Sequence, residues 1–229
     1  MKYHLGVEDI EPGNWVAWVF ELPGCYARGI ARENAVQSAP DAISELSGRL
    51  IRAGFLTHCN DSSIETEISE EFLAFKSTPE YIVNAFFEDD KRVLAECDIR
   101  YADSLLGLNR EELLAVVSQL SDDILNRPIS GEVQKNVRGI LRHIGTAEWW
   151  YWDRLNRAFP REERPEELFE LLSKIRKFTL RQLPELAGRE LRTVCSGEHW
   201  SPRKLLRRTI WHERVHTLQI LKYLKILSK

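Results

Sequence analysis

Apolar positions along this chain change rhythm near residue 96. Before that point the segments 2–10, 15–20, 25–30 and 64–75 are short and partly alternating, and Pro12-Gly13 and Pro23-Gly24 punctuate them. Alternation between turn dipeptides predicts strands. Between the third and fourth of these, Ala35, Ala39, Ala42, Ile43, Leu46 and Leu50 recur at helical spacing within 32–53, and Gly54 ends the run. From about Glu96 the strand signals stop, and amphipathic helices are predicted at 96–120, 137–158, 166–186 and 201–227. Ser77-Thr78-Pro79 marks a break, followed by a stretch read as a linker or an extra strand. The pattern predicts an α+β chain: a small β-β-β-α-β domain over 1–76, a linker over 77–95, and an all-α four-helix bundle over 96–229.

Charge supports two parts. Residues 1–75 hold 5 basic and 12 acidic residues, whereas the remainder holds 27 and 23, so the net charge of -3 conceals an acidic part and a mildly basic one. With 43% apolar and 29% charged residues in 229, the composition is that of a folded protein with a sizeable core. The start carries no basic-then-apolar leader pattern and no apolar run approaches membrane-spanning length, which points to a cytoplasmic protein without a membrane contact. Cys25, Cys59, Cys97 and Cys195 are scattered, so free and mostly packed thiols are expected rather than a disulfide framework. His58-Cys59 is adjacent rather than spaced for chelation, and His199 reads as a loop residue.

The last predicted helix, with Ser201 as its N-cap and Pro202 in its first turn, carries the most informative chemistry. At about 100° per residue His212 and His216 lie about 40° apart, within an apolar stripe shared by Leu205, Thr209, Ile220, Tyr223 and Leu227. Arg203, Lys204, Arg207, Arg208, Arg214, Lys222 and Lys225 fall opposite, as an ordinary solvated face that needs no nucleic acid to explain it. Two adjacent imidazoles in a core need partners for their ring nitrogens, because an unpaired polar group costs about 1–3 kcal/mol. A bound cation would satisfy both; so would hydrogen bonds to a neighbouring helix or to water. His143, at the edge of the 137–158 stripe, offers a third imidazole. Trp149, Trp150, Tyr151 and Trp152 cover every azimuth of that helix, so some of these rings must be partly exposed, and Trp150, on the side of His143, suits a substrate-pocket wall. Glu148 and Glu213 are candidate acid/base or ligand-supporting groups, but lie about 140° and 100° from the nearest histidine on their helices and read better as surface ion pairs. Gln219, about 20° from His212, is better placed to touch a ligand or orient a histidine.

The run Leu141-Arg142-His143-Ile144-Gly145-Thr146-Ala147-Glu148-Trp149-Trp150-Tyr151, followed by Trp211-His212-Glu213-Arg214-Val215-His216-Thr217-Leu218-Gln219-Ile220, resembles the DinB/YfiT-like family of metal-binding four-helix bundles over roughly 96–229. The resemblance implies a divalent metal held by His143, His212 and His216 with positions open to water or substrate. It further implies a metal-dependent transferase using a low-molecular-weight thiol, or a hydrolase, acting on a small molecule. Imidazole donors make nickel or zinc the first expectations. Glu21-Leu22-Pro23-Gly24-Cys25-Tyr26-Ala27-Arg28-Gly29, followed by Arg32-Glu33-Asn34-Ala35, resembles the HicB-like antitoxin domain and implies contact with a protein partner or self-association. The competing class is a non-enzymatic, antitoxin-like or regulatory binding protein with a structural metal.

Overall fold

The fold is that of a computed structural model in which residues 1–11, 13–56, 63–131 and 134–227 are described. The chain forms two compact units, Met1–Val93 with Glu190–Arg207, and Leu94–Arg189 with Arg208–Lys229. It is mixed α+β, strand-rich in its amino-terminal part and helical in its carboxy-terminal part.

In the first unit, β1 (Lys2–Glu11), β2 (Asn14–Val19), β3 (Tyr26–Gly29) and β4 (Glu65–Leu73) form a sheet of order β3-β2-β1-β4. The first three pair antiparallel through short turns. β4 runs parallel to β1, which requires a long crossover. Helices α1 (Arg32–Gln37) and α2 (Ala39–Arg52) supply it. The single helix expected over 32–53 is split at Ser38 because Pro40, at the start of α2, has no N–H to give to the preceding turn. Ala35, Ile43, Leu46 and Leu50 of these helices are buried. Cys25 is buried as well, and desolvation, followed by the Glu45 charge, pushes its thiol up to about 12. Cys97 is exposed and Cys195 half-buried, so the expectation of mostly packed thiols holds for one of the three described cysteines. His58-Cys59 lies outside the described residues.

Successive β1 side chains alternate between the sheet faces, and both faces are covered over Leu5–Glu8. The stretch expected to be a linker supplies part of the cover. It forms the hairpin β5 (Phe75–Thr78) and β6 (Tyr81–Val83), then a turn that places Phe87 over Gly6 and buries Asp90. Glu8 is buried beneath it, accepting hydrogen bonds from Trp18 Nε1 at 2.9 Å and Ala85 N at 2.8 Å. A second hairpin, β7 (Thr193–Cys195) and β8 (Glu198–Trp200), belongs to the same unit, where no strand was expected. Three-residue strands are too short to show a period. The signal lay in the turn, since Ser196 and Gly197 both have positive φ, as this tight hairpin requires.

Helix α7 (Pro202–Leu227) begins in this unit, where Ser201 Oγ accepts from Lys204 N at 3.1 Å as the expected N-cap. Lys222 and Lys225 are exposed as the sequence reading of a solvated face has them, but the first turns correct that reading. Arg203, Lys204 and Arg207 are buried. Arg207 donates to both oxygens of Asp90, at 3.1 and 2.7 Å, with its guanidinium 4.6 Å from the Trp18 ring. Lys204 Nζ donates to Glu198 Oε1 at 2.7 Å and to the carbonyls of Asn84 and His199. The wheel locates the side opposite the histidines correctly but does not reveal that acidic partners cover it.

Gly6 offers a direct test of this packing. A Cβ there would lie 2.6 Å from the Phe20 ring and 2.8 Å from Phe87. Gly6→Ala is expected to destabilise the chain by about 1–3 kcal/mol, as overpacking of a filled core does. Urea denaturation reads it, and a loss under about 0.5 kcal/mol would mean that the rings yield freely.

The second unit is built on α3 (Glu96–Val117), α5 (Val137–Arg154), α6 (Leu168–Gln182) and the part of α7 from Arg208, with a short α4 (Asp122–Asn126) after α3. Asp98 accepts from Ala95 N at the start of α3, and Asn136 Oδ1 accepts from Gly139 N at the start of α5. Leu113, Val117, Val137, Ile140, Ile144, Leu168, Leu172, Ile220 and Tyr223 form one core cluster across these helices. The helix expected over 166–186 ends at Gln182 and continues as a 3₁₀ turn through Pro184. No helix among the described residues is long and apolar enough to cross a membrane.

Candidate metal centre

Helices α5 and α7 bring together the three imidazoles that the sequence singled out. One ring nitrogen from each of His143, His212 and His216 lies within 4.8 Å of the others, and the Nε2 atoms of His143 and His212 face each other at 3.0 Å. The rings meet edgewise or tilted, with centroids 4.4 to 4.9 Å apart. His212 is buried, and the other two are half-buried.

Hydrogen bonding decides which nitrogen of His216 faces the cluster. Its Nδ1 lies 2.6 Å from Gln219 Oε1, an acceptor, so Nδ1 carries the proton and Nε2 keeps its lone pair. Gln219 Nε2 donates in turn to Tyr223 Oη at 2.9 Å, which fixes the amide orientation. This is the arrangement by which an outer partner sets the tautomer of a metal-binding histidine. Burial holds His143 below the ordinary imidazole value. His212 is held well below it, first by burial and then by the neighbouring His216, His143 and Arg208. His143 and His212 are therefore neutral near pH 7, the form in which imidazole donates to a metal.

The donor set fits a divalent ion. Nitrogens about 2.0–2.1 Å from a common zinc stand about 3–4 Å apart, so the observed spacing closes with small side-chain rotations. Trp211 and Tyr151 pack their rings against His212 and restrict how it can turn.

The two glutamates occupy another place than the surface pairs read from the sequence. Glu148 and Glu213 are buried, and their oxygens accept from Arg110 and Arg176, which are buried too. Burial alone would raise the Glu148 pKa, but the Arg176 and Arg110 charges outweigh it and hold the carboxyl below its ordinary range. Positions away from the histidine stripe face neighbouring helices here rather than solvent. The two arginines were missed because a charged residue inside a long helix gives no sign of burial until its partners on other helices are known.

Within the aromatic run, Trp149, Tyr151 and Trp152 are buried and Trp150 is half-buried. Trp152 Nε1 donates to Thr179 Oγ1, and Trp149 Nε1 to the Phe159 carbonyl, both at 2.9 Å. Trp150 carries the Arg154 guanidinium 4.5 Å from its ring centroid. His199, expected in a loop, lies in β8 and stacks on Phe86.

Comparison with known proteins places this helical part. No curated protein and no solved structure matches the chain significantly. Residues 105–220, which include all three histidines and slightly more than half of the sequence, match the DinB superfamily, and the chain belongs to that superfamily.

Proposed function

We propose that His143, His212 and His216 hold one divalent metal ion, nickel or zinc, and that the chain is an enzyme which transfers a low-molecular-weight thiol to a small molecule or hydrolyses one. The observation carrying this reading is the convergence of three imidazoles with no carboxylate or thiolate completing the cluster among the described residues. Three protein donors leave a coordination position for an exchangeable ligand, whereas structural zinc sites normally close all four. When bound, such an ion lowers the pKa of water or a thiol and so supplies a nucleophile near neutral pH. The chain's own part is to keep His143 and His212 unprotonated by burial, to orient His216 through Gln219, and to limit rotation of His212 with Trp211 and Tyr151. In this reading α3, α5, α6 and α7 make the four-helix bundle of the family. A HicB-like identity for residues 1–76 rests on the Glu21–Gly29 motif, and with it the proposal that this part contacts a protein partner or a second copy.

Cobalt(II) substitution tests the open position. Adding a small thiol to the cobalt-loaded chain is expected to change its visible absorption with a saturable dependence on thiol concentration. A spectrum indifferent to thiol, azide and imidazole alike would make the ion structural and remove the catalytic reading.

A further inference from the structure

The second unit also contains a cavity of about 560 Å³, within the range of roughly 300–1,000 Å³ typical of small-molecule sites. Its walls come from the end of α5 and from 158–164. Trp149, Trp150 and Phe159 supply aromatic surface; Arg154, Arg161 and Arg164 supply charge. Asp153 also lines it and pairs with Arg154 at 2.5 Å. Among the described residues, Arg161 and Arg164 have no carboxylate at ion-pair distance.

The chemistry of these walls is selective. Arg164 sits 4.5 Å from the Trp149 ring centroid and gives its Nε to the Arg161 carbonyl at 3.2 Å. A guanidinium over an indole engages its flat face and leaves its terminal N–H groups for an acceptor lying in its plane, which a carboxylate matches with two oxygens. Burial and then the Arg161 charge disfavour the Arg164 cation and outweigh the opposing pull of Asp153, so an anion placed between the two arginines still relieves a cost. The half-buried indole of Trp150, with Phe159, offers a flat apolar body its place. Thr146, which also lines the cavity, is three residues from His143, and Trp150 is seven. On an ideal helix Trp150 therefore lies about 20° in azimuth and about 10 Å along the axis from His143.

We propose that this cavity binds a small aromatic carboxylate, with its ring against Trp150 and Phe159 and its carboxylate between Arg161 and Arg164. As a statement of substrate class this deepens the function proposed above and rests on it; the binding itself does not.

Calorimetric titration of the full-length chain with 2-naphthoate, and with 2-naphthamide as its neutral counterpart, tests the site in zinc-loaded and chelator-treated protein. Naphthoate is expected to bind at one site about tenfold or more tighter than the amide, with or without zinc. Arg164→Gln should weaken it by about tenfold, and so should Arg161→Gln, whose exposed side chain makes misfolding an unsuitable explanation. The His212→Ala/His216→Ala variant should bind naphthoate as the unaltered chain does. Equal affinity for acid and amide, no saturable binding, or full affinity in both arginine variants overturns the proposal. Binding that disappears with the histidines but survives both arginine variants also overturns it, while leaving the metal reading intact. Naphthoate binding by an unaltered chain that takes up no metal even after reconstitution upholds the cavity and removes the metal reading.

Discussion

Purified without an affinity tag, the full-length chain is expected to carry about one divalent metal ion, and the His212→Ala/His216→Ala variant none, as elemental analysis would read it. The effect should be near-complete because one imidazole remaining from three cannot chelate, and Gln219 then has no ring to orient. Helical content should survive, since the Leu113–Ile144–Tyr223 core cluster keeps all its side chains in this variant. His143→Ala alone should weaken binding by several orders of magnitude, and Gln219→Leu more mildly, by about 10- to 100-fold, because only the orientation of His216 is lost. Equal metal content in the double variant and the unaltered chain would place the ion elsewhere. No metal in either, even after reconstitution with nickel or zinc, would return the three rings to the role of packed core histidines.

What could be read from the sequence divides along the range of the interactions involved. The strands 2–10 and 15–20 and the long helices follow from local periodicity, and the structure has β1, β2, α3, α5, α6 and α7 close to the expected places. The pairing of His212 with His216 is equally local, being one helical turn. That His143 joins them is a contact 69 residues distant in sequence; its place at the edge of its own helix stripe makes it a candidate, and the family resemblance strengthens the triad, but no local spacing fixes the contact. The misreadings share one cause. The helix pattern reads Arg207, Lys204, Glu148 and Glu213 as solvated because charge is normally exposed, yet each is buried against a partner on another element: Asp90, Glu198, or the pair Arg110 and Arg176. Nothing in a single helix's pattern distinguishes a charge that meets water from one that meets an opposite charge. The β7–β8 hairpin was lost for a different reason, since its Ser196-Gly197 turn was visible but its flanking strands were too short to alternate.

Arg176→Met is expected to destabilise the second unit by about 3–5 kcal/mol, the range for removing one partner from a buried ion pair. Each of the four long helices gives one member to this cluster: Arg110 from α3, Glu148 from α5, Arg176 from α6 and Glu213 from α7. Arg176 donates to Glu148 Oε1 at 2.9 Å and Oε2 at 3.1 Å, to Glu213 Oε2 at 2.5 Å, and to the Leu106 carbonyl. Arg110 reaches Glu213 at 2.5 Å, Glu148 at 3.1 Å and the Leu172 carbonyl at 2.6 Å. Two cations and two anions balance, so the intact set recovers its desolvation cost only as a set. Without Arg176, two carboxylates share one guanidinium with little water to screen them, and one must protonate or the helices must part. Urea denaturation of this variant should therefore show a large loss, compared with under about 1 kcal/mol for Arg138→Met, whose partner Asp122 is exposed. Removing a carboxylate together with the arginine, as in Arg176→Met/Glu148→Met, should recover part of the loss by restoring neutrality. Losses as small for Arg176→Met as for Arg138→Met would mean that water reaches the cluster. Because Glu213 follows His212 directly on α7 and Glu148 lies on the helix that carries His143, the same variant should also weaken metal binding, linking the rotation of the two histidine-bearing helices to the charge balance between them.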